Sequence, residues 1–290
     1  MKTSFIGTGV ALVTPFLADG QIDEAGFCNL LAFTQDHVNY WVVQGTTGES
    51  PTVSKNEKKR LLELAKQNNP KNLPIVYGLG GNNTQEVINN IKETNLEGVS
   101  GILSVTPYYN KPSQDGLYRH YLAIADASPV PIILYNVPSR TAVNMTAETT
   151  LKLAQHPNIV AIKDATTDLE QFIRIARDIP KDFLLLSGDD MQTVPMIAIG
   201  AKGVISVLAN LVPQTFCQMI NKALEGDYNG ASQLLYKLLE LNILMYKEGN
   251  PVGVKQGLAL KGICGSDVRL PVIKASESLK QAIEIALKGL

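Results

Sequence analysis

Short, almost continuously apolar runs alternate with longer polar–apolar stretches along most of this chain. Eight apolar runs predict β-strands at residues 9–16, 40–45, 74–80, 101–109, 131–138, 159–166, 183–190 and 203–210. Such runs are typical of parallel strands that are covered on both faces. The stretches between them have helical periodicity and predict helices at residues 24–38, 54–68, 84–95, 116–128, 146–156 and 169–179. Capping residues open two of them, Ser54 with Glu57 and Thr146 with Thr149.

Eight strand–helix units predict an α/β fold, a closed (β/α)8 TIM barrel, with an open doubly wound sheet as the alternative. Residues 211–290 follow the eighth strand and are more chain than one closing helix needs. We therefore predict that residues 1–210 form the barrel. Residues 211–290 would add its last helix and a C-terminal helical extension, helical at 221–249 and 276–290, within one structural unit.

Composition limits the classes of function. Hydrophobic residues make up 45% and charged residues 18% of the chain, which indicates a soluble globular protein. No run approaches the roughly 18 apolar residues of a membrane span. The net charge of −1 provides no basic field for nucleic acid. Three cysteines without a CxxC motif indicate a reducing compartment, so we expect a cytoplasmic protein that binds neither membrane nor nucleic acid.

The active site of a (β/α)8 barrel lies at the C-terminal ends of its strands. Polar residues interrupt the apolar pattern at these ends, namely Thr14, residues 45–49, Tyr108, Tyr109, Tyr135, Lys163, residues 188–190 and Ser206. These residues are therefore the candidates for chemistry.

Lys163 is the sharpest candidate because it follows the apolar run 159–162 in a buried strand. By a period of two it should share a face with Ile159 and Ala161, with Asp164 pointing the other way. Burial disfavours an ammonium and leaves a nucleophilic amine. The alternative is a structural lysine paired with a carboxylate from a neighbouring strand.

Tyr135 lies one strand earlier, within expected reach of Lys163, where its hydroxyl can transfer protons. The alternative is a core tyrosine whose hydroxyl is satisfied by the protein. Arg140 lies in the loop beyond the same strand and is suited to bidentate capture of a substrate carboxylate. A surface salt bridge would explain Arg140 equally well.

The segment GTTGE, residues 45–49, places two hydroxyls and adjacent backbone N–H groups between Gly45 and Gly48. The two glycines permit close backbone approach, and such a turn before a helix suits a carboxylate. The same segment could merely cap the following helix.

Six segments resemble the dihydrodipicolinate synthase family, now called 4-hydroxy-tetrahydrodipicolinate synthase, and the likeness extends from residue 9 to VRLP at 268–271. They are GTTGES (45–50), SVTPYYNKPSQDGLYRHY (104–121), LYNVPSRT (134–141), IKDAT (162–166), LLSGDD (185–190) and GVISVLAN (203–210). The family belongs to the pyruvate-dependent class I aldolases, which include N-acetylneuraminate lyase. Those lyases typically have GSTGE after strand two and lack the arginine that Arg140 supplies here.

The resemblance implies covalent catalysis without a metal or organic cofactor. Lys163 would form a Schiff base with pyruvate, whose carboxylate Thr47 would hold, with the backbone of Ile205 lining the same pocket. Tyr135, Thr46 and Tyr109 would relay protons, with Tyr109 supplied by a neighbouring subunit. The resemblance therefore implies a homo-oligomer, a dimer of dimers.

The resemblance also implies the second substrate. The enamine would attack L-aspartate 4-semialdehyde, whose carboxylate Arg140 would receive, and we add Gly188 to the substrate-binding residues. Cyclisation would give 4-hydroxy-tetrahydrodipicolinate, the branch-point step of lysine and diaminopimelate biosynthesis. A sister aldolase or lyase acting on a sugar acid is the alternative enzyme, and a non-catalytic barrel that binds a keto acid is the alternative from another class.

Two departures from the family pattern concern charged residues. Asp164 stands where the family often has Glu, and strand parity points it away from Lys163, so we expect unaltered chemistry.

Family members that lysine inhibits have an allosteric pocket, and its residues match Ser50, Asn82, Glu86 and Tyr108. Sensitive members have His or Glu where this chain has Lys58, and commonly His where it has Lys55. Because a cation at Lys58 would repel the ε-ammonium of lysine, we expect weak or absent feedback inhibition.

Overall fold

Eight parallel strands close into one barrel in the computed structural model, which describes residues 2–290. The strands are β1 Gly7–Ala11, β2 Tyr40–Val43, β3 Ile75–Gly78, β4 Gly101–Val105, β5 Ile132–Asn136, β6 Ile159–Asp164, β7 Leu184–Ser187 and β8 Gly203–Ser206. Each strand pairs with the next, and β8 pairs with β1. The closed barrel is confirmed and the open sheet is excluded. Met1, the first residue of the predicted barrel segment, lies outside the described residues.

Most strands are shorter than the apolar runs that predicted them, mainly at their C-terminal ends. The first strand shows why, because it spans Gly7–Ala11 rather than 9–16. Leu12, Val13 and Phe16 have left the strand, yet they are fully buried. An apolar run therefore reports burial, and it does not distinguish strand from buried loop.

Helices follow the strands and continue beyond the barrel. They are α1 Glu24–Thr34, α2 Lys55–Gln67, α3 Thr84–Glu93, α4 Gln114–Ala127, α5 Pro138–Thr141, α6 Ala147–Leu153, α7 Leu169–Asp178, α8 Thr193–Ala198, α9 Pro213–Leu224, α10 Tyr228–Tyr246, α11 Val252–Leu260 and α12 Glu277–Lys288. Ser54 and Glu57 form the expected capping box, and the Thr146 side chain accepts from the Thr149 N–H.

The C-terminal extension is helical as predicted, but its helix boundaries were wrong. The predicted helix 221–249 is two helices, because the chain turns at Gly226 with φ +87° and Asp227 caps α10. Helix α11 lies in a stretch for which no helix was predicted. The division of the chain at residue 210 stays a prediction.

No helix between residues 2 and 290 is long and apolar enough to cross a membrane.

Two apolar clusters lie on opposite sides of the strands. The inner cluster fills the barrel and includes Ile133, Tyr135 and Ala161, and the outer one packs strands against helices. The prediction that Ile159 shares a face with Lys163 was wrong. The β5–β6 register shifts between Ile132 and Ile133, so Ile159 packs in the outer cluster.

Candidate active site

A cavity of about 350 Å³ opens at the mouth formed by the C-terminal strand ends. Five of the predicted site residues line it, namely Thr46, Ser50, Tyr108, Tyr135 and Arg140. Lys163, Thr47 and Ile205 are not in its lining. Gln44, which sequence reasoning did not select, also lines this cavity.

Lys163 and Tyr135 face each other directly, as predicted. They are register partners on β6 and β5, and Lys163 Nζ lies 4.2 Å from the centre of the Tyr135 ring. Lys163 is only 6% exposed, and no carboxylate among residues 2–290 forms an ion pair with it. The Tyr135 hydroxyl likewise has no hydrogen-bond partner in the described chain. The structural alternatives for both residues, a carboxylate partner and a satisfied hydroxyl, therefore find no support.

Asp164 points away from Lys163, as strand parity predicted. Its Oδ1 accepts from the Thr166 N–H at 2.9 Å and from Asn136 Nδ2 at 3.4 Å, and its Oδ2 accepts from Gln171 Nε2 at 3.5 Å. Burial raises the pKa of this carboxyl to about 6, and the three hydrogen bonds oppose the shift.

A second buried lysine, Lys255 on α11, has a different environment. It is fully buried, and its Nζ donates to Glu49 Oε1 at 2.5 Å and to the Asp267 carbonyl at 2.7 Å. Burial lowers the pKa of Lys255, and the Glu49 carboxylate opposes that shift. Lys255 is thus a paired structural lysine, and among the side chains whose burial is described Lys163 is the buried lysine without a carboxylate partner. Sequence reasoning overlooked Lys255, although it too interrupts an apolar run.

The GTTGE segment forms a tight 3-10 turn over Thr46–Gly48, followed by Glu49 in the left-handed region at φ +53°. Inside the barrel, Gln44 Nε2 donates to Thr14 Oγ1, which donates to the Gly48 carbonyl at 2.7 Å. On the other side, Glu49 Oε2 accepts from the backbone N–H of Arg269 at 3.1 Å. The turn is therefore held by both the barrel and the C-terminal extension.

Thr47, the predicted carboxylate ligand, is 3% exposed, and its Oγ1 accepts from Asn250 Nδ2 at 3.0 Å. Ile205 pairs with Gly9 across the closing seam and belongs to the inner cluster with Tyr135. Gly188 packs against Ala165, where an added Cβ would lie 2.7 Å from the Ala165 Cβ.

Arg140 and Tyr109 are both exposed but differ in their relation to the cavity. Arg140 lies on α5 in the cavity lining and forms no ion pair within residues 2–290, so the salt-bridge alternative finds no support. Tyr109 is 88% exposed, has φ +74°, and is not in the cavity lining. The structure therefore does not bring Tyr109 to Tyr135 within one chain.

A second cavity of about 360 Å³ lies beside the first and holds two of the predicted allosteric residues, Ser50 and Glu86. Asn82 Nδ2 donates to the carbonyl of Tyr108 at 3.1 Å, and Tyr108 lines the neighbouring cavity. Lys58 lines both cavities; burial lowers its pKa, and Glu86 opposes that shift.

The closed barrel and the polar mouth beside Lys163 define a (β/α)8-barrel enzyme. Comparison with known proteins gives its family: residues 4–290 match the model of the dihydrodipicolinate synthetase family, to which the chain belongs.

Its relatives resemble it over nearly their whole length. A 4-hydroxy-tetrahydrodipicolinate synthase of Cytophaga hutchinsonii is 50% identical over 98% of this chain and 96% of its own. The crystal structure of dihydrodipicolinate synthase from Aquifex aeolicus has a TM-score of 0.94 and 39% identity, and the match covers 98% of this chain and 97% of that one. A monomeric dihydrodipicolinate synthase variant has a TM-score of 0.96 and 35% identity, covering 99% and 97%.

The titration of Asp164 should make stability depend on pH. A carboxyl with a raised pKa contributes stability that is full below its unfolded value near 4 and lost as pH rises through about 6. We expect wild type to lose on the order of 2 kcal/mol of unfolding free energy over this range relative to Asp164→Asn. Urea denaturation at several pH values measures the difference. Asp19→Asn, at an exposed position, should keep the wild-type profile, and an identical profile for Asp164→Asn would contradict the expectation.

Proposed function

We propose that this protein condenses pyruvate with L-aspartate 4-semialdehyde through a Schiff base on Lys163. The observation that carries the proposal is the buried Lys163 amine. It has no carboxylate partner among residues 2–290, and its Nζ lies 4.2 Å from the centre of the Tyr135 ring. A buried lysine that forms no ion pair within residues 2–290 is suited to attack a ketone as a nucleophile. The relatives named for this reaction support the choice of substrates.

The first half of the reaction activates pyruvate. Lys163 Nζ attacks the ketone carbon, and loss of water from the carbinolamine leaves an iminium. Tyr135, whose hydroxyl has no hydrogen-bond partner among residues 2–290, would supply the proton to the departing water. The Thr47 hydroxyl would hold the carboxylate of pyruvate in the tight turn next to this site.

The second half forms the carbon–carbon bond. Loss of a methyl proton converts the iminium to an enamine, whose carbon attacks the aldehyde carbon of aspartate semialdehyde. The amino group of the new adduct then attacks the iminium carbon and releases Lys163, which closes the ring of 4-hydroxy-tetrahydrodipicolinate. Arg140, which lies in the cavity lining and forms no ion pair within residues 2–290, would receive the carboxylate of the aldehyde substrate.

We further propose that the active protein is a homo-oligomer, a dimer of dimers, located in the cytoplasm. Tyr109 is a largely exposed aromatic residue on a strained loop, which suits a side chain that completes the relay of Tyr135 and Thr46 in a neighbouring subunit. The three cysteines are free thiols, in keeping with a reducing compartment.

Borohydride reduction in the presence of pyruvate should trap a covalent adduct on Lys163. Peptide mass analysis locates the adduct, and Lys255 is the internal control, since it is also buried but is paired with Glu49. Lys163→Met should abolish labelling. Labelling of another lysine, or none, would refute the Schiff-base mechanism.

With pyruvate bound, aspartate semialdehyde should be consumed and N-acetylmannosamine should not, whereas the reverse would indicate the sugar-acid lyase.

Mixing two inactive variants should test the shared tyrosine. Tyr109→Phe and Lys163→Ala homo-oligomers should each be almost inactive. After dissociation and random reassembly, activity should return to about a quarter of wild type, because half of the dimers are mixed and each has one intact site. Activity assays of the reassembled sample measure this. No recovery, with dimers verified by sedimentation, would show that Tyr109 serves its own chain.

Lysine should inhibit this protein weakly or not at all, because Lys58 places a cation at the cavity that contains Ser50 and Glu86. Steady-state assays over a range of lysine concentrations measure the effect. Lys58→His should increase sensitivity, and Lys66→His, on the same helix but outside the lining of both cavities, serves as its matched control. Half-inhibition of wild type at low lysine concentrations would overturn this expectation.

A further inference from the structure

Asn250 connects the C-terminal extension to the catalytic turn. It lies in the short segment between α10 and α11, and its Nδ2 donates to Thr47 Oγ1 at 3.0 Å across 203 residues of sequence. Thr47 is the residue proposed above to hold the carboxylate of pyruvate. The contact therefore acts directly on a group of the proposed site.

The direction of this hydrogen bond determines what the Thr47 hydroxyl can do. A hydroxyl has one proton to donate and two lone pairs to accept with. Because Asn250 donates, Thr47 Oγ1 uses a lone pair and keeps its proton, and no acceptor among residues 2–290 takes that proton. The hydroxyl is then free to donate to a carboxylate. If an acceptor stood in the place of Asn250 Nδ2, the Thr47 hydroxyl would donate its proton to that acceptor and could not donate it to a carboxylate.

The Asn250 amide is more than a tether between two segments. Its Oδ1 is buried and has no hydrogen-bond partner within the described chain. Leaving a buried acceptor unpaired costs free energy, and an apolar side chain would join the segments without that cost. What an apolar residue could not provide is the N–H donor at Thr47.

The neighbouring contacts hold Asn250 and Thr47 in place relative to each other. Lys255 follows Asn250 by five residues and lies on α11. Its Nζ donates to Oε1 of Glu49, two residues after Thr47, at 2.5 Å. The two contacts run in parallel between the same segments. These two contacts therefore hold Asn250 in a fixed position relative to the turn that contains Thr47.

We infer that Asn250 is a positioning residue that orients the Thr47 hydroxyl as a hydrogen-bond donor and so sets the affinity for the carboxylate of pyruvate. The inference rests on the proposed function. Asn250 is not placed in contact with the substrate, because it acts through Thr47.

Substitutions of Asn250 with different polarity test the inference. Asn250→Ala should raise KM for pyruvate about tenfold with little change in kcat, because one orienting hydrogen bond is lost. Asn250→Asp should raise it about 100-fold, because an ionised carboxylate takes the Thr47 proton and repels the substrate. Lowering the pH to protonate this aspartate should restore a donor and reduce KM, an effect that Asn250→Ala should lack. KM for aspartate semialdehyde should change less than about twofold in both variants.

Asn158→Asp is the matched control, since its Nδ2 donates to the carbonyls of Ala125 and Ser128, both at 2.9 Å, away from the mouth. It should leave KM for pyruvate unchanged. Equal KM values for Asn250→Ala and Asn250→Asp, or wild-type KM in either, would overturn the inference. If Asn250→Asp fails to fold, Asn250→Ala, which adds no charge, decides alone by its KM. Failure of pyruvate trapping in wild type would instead refute the proposed function.

Discussion

Closing eight parallel strands into one ring brings all eight C-terminal strand ends to the same mouth. The seam between β8 and β1 shows how tightly the ring closes, because a Cβ on Gly203 would lie 2.0 Å from the carbonyl oxygen of Gly7. Closure also fixes the register that sets Tyr135 beside Lys163. Residues from distant parts of the sequence thus share a small volume.

The two lysines that are buried among the described side chains have different surroundings. Lys255 is the more deeply buried, but a carboxylate and a carbonyl satisfy its ammonium, and removing that partner would leave a costly unpaired charge. Lys163 faces the ring of Tyr135 instead and has no anionic partner among residues 2–290. Burial is common to both lysines, and the missing carboxylate partner is what distinguishes Lys163 from Lys255.

The sequence was sufficient for the barrel and for the pairing of Lys163 with Tyr135, because both follow from strand order and from a period of two. The register shift at Ile132 was not predictable, so Ile159 was assigned to the wrong face. The contacts of Asn250 with Thr47 and of Lys255 with Glu49 were also missed. Their partners lie some 200 residues apart, and no local pattern marks them.

The site draws on parts of the molecule with different physical roles. The barrel supplies the rigid Lys163 and Tyr135, and the extension holds Thr47 and Glu49 from outside through Asn250 and Lys255. A loose extension would leave the barrel closed while the turn after β2 lost its orientation. Stability of the barrel and the affinity of the proposed pyruvate site are therefore separable properties. That affinity depends on how firmly the C-terminal extension packs against the turn after β2, because a small displacement of an orienting group costs more in binding than in folding.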